Sequence, residues 1–470
     1  MNFSANARPR SYAPTHTLTE HRTMQRLASL LGGLTVVALL PAGSALLQGC
    51  LQCGSSSTFD LDEASGSYMI CPGGEHVFEH TDAHSQHIWI EARRGLDDVH
   101  VDASIGLRGG ALYALDAVVT VEDAAFDGAS GTWGGAVFLL DSTLLGTGLT
   151  LTDSSAGYSG GAIHLDGATV DLDGLVIDGA EGELSWGAGI YLRAMSTLTL
   201  TDSEVRGAVG TMAAQGYDGG AIFAEGTSNV TLVRTVIADS SADDGGAVAM
   251  RGGTLELDDC TVEGNTALGK GGGVDLQGAA ILQASGTTWS GNEARIGGAL
   301  HVGPDASVDD QEGTFTLNEA DEDGGAIALD GSSAAVFTGS SWTANEADRG
   351  GALFVAEAYA PVVATDVDAS DNTARTADGG AAWLASGSSA ELTGGVWARN
   401  SALLGRGGAL ATDSATATIV GTRFTDNLAR DGAALSTRNG TLTIDEAFVL
   451  RNHADDDGGG LHADGTEVVA

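Results

Sequence analysis

Positive charge is the scarcest property of this chain. Its 470 residues include 21 Lys and Arg against 63 Asp and Glu, which gives a formal net charge of −42, and Lys270 is the only lysine. Nucleic acids and anionic membranes are bound through basic surfaces, which this composition lacks. We therefore expect no nucleic-acid partner, and contact with a membrane only through a signal segment or a lipid anchor.

Long apolar runs, prolines and aromatic residues are also few. Beyond residue 40, no stretch of the sequence is long and apolar enough to predict a transmembrane helix. Glycine, in contrast, is abundant at 70 residues but shows no triplet period, which excludes collagen. Because apolar residues reach 43%, the chain can bury a core and is not simply disordered.

The N-terminal residues predict an export signal. Met24 is a possible true start, and residues 27–40 form a largely apolar stretch that is too short to span a bilayer comfortably. Two cleavage sites compete: residues 43–45 fit a signal peptidase site, whereas the residues before Cys50 resemble a lipoprotein box in which Cys50 carries the lipid. Both interpretations predict a protein of the outer membrane, the cell surface or the extracellular space.

The chain has four cysteines. Cys50 is the lipidation candidate, and the other three are Cys53, Cys71 and Cys260. In an oxidising compartment Cys53 and Cys71 are the most plausible disulfide, at the start of the first coil. The Cys50-x-x-Cys53 spacing is an alternative redox or metal pair, although it lacks a second such pair. Cys260 stands in a strand-like stretch and is expected to be a small buried core residue.

A glycine pair followed by a small residue and an apolar strand recurs along the chain. The thirteen intervals between its copies run from 24 to 32 residues, and eight of them are 26 or 27. Self-similarity at such a period indicates a solenoid. The copies begin at Gly109, Gly134, Gly160, Gly187, Gly219, Gly245, Gly271, Gly297, Gly324, Gly350, Gly379, Gly407, Asp431 and Gly458.

Each repeat predicts three short strands with alternating apolar residues, the third ending in an aromatic or aliphatic residue three positions before an asparagine. One asparagine per coil can form an internal amide ladder with a repeat of about 4.8 Å, and asparagine tolerates the left-handed backbone of a corner. The glycine pair serves the opposite corner. The asparagines are Asn265, Asn292, Asn318, Asn345, Asn372, Asn400, Asn427 and Asn452.

These patterns predict an all-β fold: one right-handed parallel β-helix, a solenoid of about 14 coils. We divide the chain into an export-signal region at 1–49, an N-terminal cap with the first coil at 50–100, and β-helix repeats at 101–470. No segment shows the sustained 3.6-residue period that a helix requires.

The repeat motifs also resemble those of a known family. GGA-[ILV], as at residues 324–327, and F-x-x-N, as at residues 315–318, alternate from about residue 105 onward. They resemble the repeats of chlamydial polymorphic outer-membrane proteins and, more broadly, bacterial β-helix surface proteins. The resemblance implies a right-handed parallel β-helix and an adhesin at the cell surface.

One position in each coil is a candidate for binding. In each coil, the fourth residue after the first glycine of the pair is predicted to point outward, for example Tyr113 after Gly109. This residue is often aromatic, although aromatic residues make up only 5% of the chain. Such rings, one coil apart, could stack on a glycan or dock a protein surface. The alternative is a cross-coil ladder that only stabilises the sheet. The predicted binding residues are Tyr113, Phe138, His164, Tyr191, Phe223, His301, Phe354 and Trp383.

Acidic residues crowd the turns before the glycine pairs. Oxygen-rich columns suit Ca²⁺, but aspartate is common in turns, so we predict no cofactor and keep Ca²⁺ as a possibility. The residues are Asp218, Asp243, Asp244, Asp321, Asp323, Asp378, Asp431, Asp455, Asp456 and Asp457.

Three functions fit these observations. The favoured one is a non-enzymatic, exported β-helix that displays an elongated binding face for adhesion or envelope contact. A polysaccharide-active lyase or glycosidase is the first alternative, and its best general-base candidate is the Asp275–His301 pair on adjacent coils. A structural spacer is the second. No catalytic residue is assigned.

Overall fold

A computed structural model describes most of the chain beyond residue 56. It describes the backbone of strands between residues 57 and 106, and then residues 107–470 except 184–185, 211–215, 332–333 and 357–359. The predicted export signal, Cys50, Cys53 and Cys71 lie outside the described residues. Every regular element in the described part is a strand, and no helix there is long and apolar enough to cross a membrane.

The strands wind into a right-handed parallel β-helix of about 13 turns, close to the predicted 14 coils. Neighbouring coils pair in parallel and in register throughout the first sheet, as between Ile327–Asp330 and Leu353–Ala356. The sequence predicts three strands per coil. Three sheets are present, but the second takes two strands from most coils, so most coils contain four strands.

The first sheet contains the strands that follow the glycine pairs, together with two earlier strands. Its 16 strands are Ser67–Ile70, His87–Ile90, Leu112–Leu115, Val137–Leu140, Ile163–Asp166, Ile190–Arg193, Ile222–Glu225, Val248–Arg251, Val274–Gln277, Leu300–Val302, Ile327–Asp330, Leu353–Ala356, Ala382–Leu384, Leu410–Asp413, Leu435–Arg438 and Leu461–Asp464.

The second sheet comes next in each coil and contains 30 strands, in which a longer strand generally alternates with a shorter one. They are Ser57–Phe59, His76–His84, Arg94–Asp102, Val118–Glu122, Ala125–Asp127, Thr143–Thr147, Thr150–Thr152, Thr169–Asp173, Val176–Asp178, Thr197–Thr201, Glu204–Arg206, Asn229–Val233, Val236–Ala238, Thr254–Asp258, Thr261–Glu263, Ile281–Ser285, Thr288–Ser290, Ser307–Gln311, Thr314–Thr316, Ala334–Thr338, Ser341–Thr343, Val362–Thr365, Asp368–Ser370, Ser389–Thr393, Val396–Ala398, Thr416–Val420, Arg423–Thr425, Thr441–Asp445, Phe448–Leu450 and Glu467–Val469.

The third sheet contains 14 strands of two to six residues that lead back to the next glycine pair. They are Ile105–Arg108, Ser130–Trp133, Ser155–Ser159, Glu181–Gly182, Val209–Gly210, Ser241–Ala242, Thr266–Ala267, Glu293–Ile296, Glu319–Asp323, Glu346–Ala347, Thr373–Ala374, Ser401–Arg406, Leu428–Asp431 and His453–Ala454.

The glycine pair is required at the corner between the third and first sheets for two reasons. Gly324 has a φ of +65°, a left-handed conformation that favours glycine. A Cβ on the second glycine, Gly325, would lie 2.1 Å from the carbonyl oxygen of Gly351 in the next coil. Backbone conformation and coil-to-coil packing therefore select glycine independently.

The predicted asparagine ladder is present inside the corner before the third sheet. Asn345 donates from Nδ2 to Asn372 Oδ1 and to the carbonyl oxygen of Phe315, both at 3.0 Å. Its own Oδ1 accepts bonds of 3.0 Å from the backbone N and the Nδ2 of Asn318. The left-handed residue is the one before the asparagine, for example Ala344 at φ +55°, so our expectation for the asparagine backbone is wrong.

The core runs continuously along the inside of the solenoid. Alanine, valine, leucine and isoleucine from the first two sheets fill it, and Cys260 is buried among them as predicted. The aromatic residues of the x-x-Asn motif also point inward. Trp342, for instance, is fully buried and packs edge-on against Phe337 at 5.3 Å between ring centroids.

Candidate functional site

The predicted binding residues lie on the outer side of the first sheet, opposite the core. Their strand neighbours, such as Leu112 and Ala114, belong to the core, and side chains alternate between the two faces of a strand. Most of these outer side chains are nevertheless buried, so the expectation of an exposed stripe is wrong for them. Tyr113, Phe138, His164, Tyr191, Phe223, His301 and Phe354 are buried, and Trp383 is half-buried.

Five of these rings form what we call the outer ladder: Tyr113, Phe138, His164, Tyr191 and Phe223. Successive ring centroids along it are 5.6, 4.6, 4.8 and 5.7 Å apart. This is the cross-coil ladder that the sequence left open as the alternative, and stacking of this kind stabilises a sheet. A role of these residues in binding stays a prediction.

Arginine side chains help to bury the outer rings. Arg349 lies 5.3 Å from the ring centroid of Phe354 and 4.9 Å from that of Trp383, while two bonds to Asp323 hold its guanidinium in place. Arg108 and Arg251 cover other rings in the same way. An arginine stem and its guanidinium can cover a large apolar surface, which the alternation of strand residues does not predict.

A second set of aromatic residues stands beside the outer ladder and is more exposed. This rim column consists of Trp133, Tyr158, Trp186 and Tyr217, from four successive coils. The side chains of Tyr158 and Trp186 are 51% and 42% exposed. Trp133 stacks on Tyr158 at 5.7 Å, and Trp186 meets Tyr217 edge-on at the same distance.

The rim column was not among the predicted binding residues, although the sequence contains a signal for it. An aromatic residue precedes the glycine pair by one or two positions in each of these four coils. The signal is weak because the position alternates between one and two residues before the pair. In later coils the corresponding places hold charged residues such as Asp323 and Arg349.

A cavity of about 150 Å³ lies over the outer face of the first sheet at Phe138 and His164 of the outer ladder, with Trp133 of the rim column at one side. Arg193 Nη2 donates to Asp166 Oδ2 at 2.5 Å on one side of it. Arg108, on the other side, has no carboxylate partner among the residues that the structure describes. The lining consists of Arg108, Trp133, Phe138, Leu140, His164, Asp166 and Arg193.

His164 lines this cavity and has one polar atom without a partner. Its Nδ1 lies 2.8 Å from Ser159 Oγ, whereas its buried Nε2 has no hydrogen-bond partner within the described part of the chain. Burial, reinforced by the positive charge of Arg193, lowers the pKa of His164 to about 3. The ring is therefore neutral at physiological pH, and Nε2 can donate or accept one bond depending on the tautomer.

We expect His164 to stay neutral when the protein is titrated from pH 8 to pH 5. The folded state holds the ring unprotonated, so the histidine contributes stability above its ordinary pKa of 6.5, and this contribution is lost as the pH falls toward 3. Imidazole ¹⁵N shifts followed by NMR would check this. The exposed His453 provides the comparison signal in the same spectra. A protonation step of His164 between pH 5 and pH 7 would contradict the prediction.

Asp275 and His301 lie on adjacent coils as predicted and form a buried ion-pair network. His301 Nδ1 is 2.6 Å from Asp275 Oδ1, and Arg251 bonds both Asp275 and Asp218, at 2.5 and 2.6 Å. Burial raises the pKa of Asp218 to about 6. Burial opposes ionisation of Asp275 as well, but His301 and Arg251 hold its pKa below the usual range.

The geometry of this network suits a structural role better than general-base catalysis. The side chain of His301 is only 1% exposed, and Arg251 occupies the other oxygen of Asp275. A general base must come within hydrogen-bonding reach of the proton that it abstracts. The Asp275–His301 pair is therefore engaged with Arg251 inside the protein, as expected of a structural network.

Several acidic turns pair with arginine. Arg406 bonds Asp378 at 2.6 Å, and Arg430 bonds Asp431 at 3.0 Å. Across the described coils, no group of three or more His, Cys, Asp or Glu side chains is arranged to hold a metal ion. Calcium binding by the acidic turns stays an untested possibility.

Comparison with protein families, with curated proteins and with solved structures found no match for this chain. The fold therefore defines the class: the described part of the protein is a right-handed parallel β-helix built from repeats. The resemblance to chlamydial surface proteins rests on the repeat motifs alone.

Proposed function

We propose that this protein is an exported, non-enzymatic β-helix that binds an extended glycan along its rim column and acts in adhesion or envelope contact. The observation that carries this proposal is the partly exposed column Trp133, Tyr158, Trp186 and Tyr217. Coils are spaced by about 4.8 Å, which is close to the length of one sugar residue in an extended chain. Consecutive sugars could therefore stack on rings of consecutive coils.

The surroundings of the rim column support a binding role. Trp186 lies 6.3 Å from Phe223 of the outer ladder, so rigid rings back the exposed ones. Aromatic side chains that pair a large apolar surface with low conformational freedom are effective at recognition surfaces. Asp166 and Arg193 share a cavity lining with Trp133 of the column and could bond sugar hydroxyls there.

Binding is favoured over the two alternatives by separate observations. The Asp275–His301 pair, the best candidate for an enzyme, is buried and bonded to Arg251. A spacer has no need for a column of partly exposed aromatic rings in four successive coils. Export rests on the N-terminal apolar stretch, and adhesion rests on the resemblance to surface proteins.

We expect Tyr158→Ala combined with Trp186→Ala to weaken glycan binding at least tenfold while the protein stays folded. Each ring removed deletes a stacking platform, and aromatic contacts contribute about 1 kcal/mol or more apiece. A glycan array followed by titration calorimetry on the best ligand would measure the loss.

The matched control is Leu404→Ala, which removes an exposed apolar side chain, 66% exposed, from the same sheet in a later coil. It should leave affinity unchanged. Equal loss in both variants would indicate non-specific hydrophobic binding. Capture of cells or proteins without any glycan ligand would favour a protein surface as partner and reject the proposal.

A further inference from the structure

We infer that one sugar of the bound glycan carries a carboxylate, which occupies the cavity between Arg108 and Arg193. This inference rests on the proposed function and specifies its ligand class. The ligand is a mainly neutral glycan with a single acidic sugar, such as a uronic acid, at the first coils of the rim column. The neutral sugars lie on Tyr158 and Trp186.

The first observation is an arginine without a counter-ion. Arg108 lies 5.9 Å from the ring centroid of Trp133 and 5.4 Å from that of Phe138. The other ring-covering arginines, Arg251 and Arg349, both bond carboxylates. In a chain with a net charge of −42, a guanidinium that lacks a carboxylate in the described region stands out as a site for an anionic ligand.

The second observation is the unpartnered Nε2 of His164, which lies in the same cavity lining. If the Ser159 hydroxyl donates to Nδ1, then Nε2 carries the hydrogen and can donate to a carboxylate oxygen. A buried polar atom without a partner costs free energy, and a ligand oxygen would remove that cost.

The charge balance of the cavity favours a carboxylate over a phosphate. Among the residues that line the cavity, Arg108 and Arg193 contribute two positive charges and Asp166, bonded to Arg193, contributes one negative charge, while Glu225, which also acts on Arg193, stands outside the lining. One net positive charge matches one carboxylate. A phosphate monoester carries more negative charge at neutral pH and would meet Asp166 at close range.

The size of the cavity and the net negative charge of the protein limit the number of acidic sugars that can bind. A cavity of about 150 Å³ accommodates a carboxylate with part of one sugar ring. Beyond this cavity the chain is strongly acidic, and it would repel a polymer charged at every residue. A polyuronate should therefore bind less well than an oligosaccharide with one acidic end.

The test compares two tetrasaccharides of glucose that differ only in whether the terminal residue is glucuronic acid. Calorimetric titration of the full chain is performed in EDTA, because calcium could bridge an acidic sugar to an acidic protein. We expect the acidic tetrasaccharide to bind about tenfold more tightly, the gain from one charge-assisted contact. Equal affinities, or a preference that appears only when calcium is added, would overturn the inference.

Two variants locate the carboxylate. Arg108→Gln should reduce the acid-to-neutral affinity ratio to near one, and His164→Phe, which keeps a stacked ring, should reduce it several-fold. Arg399→Gln, at a distant ion pair with Asp371, should leave the ratio unchanged. An unchanged ratio in Arg108→Gln would reject the site, provided that thermal unfolding shows the variant to be folded.

The outcomes separate this inference from the proposed function. Binding of the neutral tetrasaccharide alone supports the proposed function and rejects the acidic sugar. Binding of neither tetrasaccharide overturns both. Tighter binding of polygalacturonate than of the acidic tetrasaccharide rejects the single-carboxylate ligand.

Discussion

Replacing Asn345 by alanine is expected to lower the free energy of unfolding by about 4 kcal/mol. The side chain donates to Asn372 and Phe315 and accepts twice from Asn318, all inside the solenoid. Its removal leaves two buried groups without a partner, the backbone N and one Nδ2 hydrogen of Asn318, and it takes one bond from the carbonyl oxygen of Phe315. Each such group costs about 1–3 kcal/mol. Urea unfolding of the full chain would measure the change.

The last member of the ladder provides the control. Asn452 accepts from Asn427 and donates to Phe424, but it is half-buried and water reaches its surroundings. We expect Asn452→Ala to cost roughly 1–2 kcal/mol, because solvent can satisfy the exposed groups. An equal decrease in the free energy of unfolding for the two variants would show that burial of the ladder adds nothing to its contribution to stability.

Replacing Asp310 by asparagine is expected to stabilise the protein at pH 7 by about 2 kcal/mol. This carboxyl faces the core between Ala284 and Phe337 of the neighbouring coils. Burial raises its pKa to about 6, despite a bond of 2.6 Å from Ser340. Keeping this buried carboxyl ionised at pH 7 therefore costs about 3 kcal/mol, and the asparagine variant avoids that cost. The variant in turn places an amide hydrogen where Oδ1 now has no partner, which costs about 1 kcal/mol and leaves the net gain of about 2.

The gain should depend on pH. In the folded state Asp310 holds its proton more tightly than in the unfolded chain, where the pKa is near 3.8, so its contribution is favourable below about pH 4 and is lost as the pH rises through 6. The advantage of Asp310→Asn should thus shrink between pH 7 and pH 4. Asp309→Asn, at the exposed neighbouring position, is the control. A constant difference across this pH range would contradict the assignment.

The coil architecture of this chain can be predicted well from the sequence because every coil places the same structural demands on the same positions of the repeat. Each coil must turn the same corners against a similar neighbouring coil, so Gly324 recurs for its left-handed backbone and Asn345 recurs for its bonds to adjacent coils. The division of the second sheet into two strands per coil was missed. The turn between them is short, and its left-handed aspartate or glycine, as at Asp259 and Gly286, is a signal that the three-strand prediction did not use.

The candidate site was harder to predict because its surroundings come from other coils. Alternation correctly places Phe354 and Trp383 on the outer side, but Arg349 covers both rings and precedes them in the chain by different distances. Whether Arg108 has a counter-ion is likewise decided by contacts across coils. Such contacts leave no periodic signal in one sequence.

Within the described coils, the register shifts between paired strands all fall in the third sheet, for example between Gly131 and Trp133 and between Ala402 and Arg406. The core and the outer ladder depend on the other two sheets, whose strands keep their register. Length changes beside the rim column are thus absorbed locally. The edge that we propose to bind glycan can therefore change in sequence and length while the two supporting sheets stay the same, so the proposed specificity can evolve separately from stability.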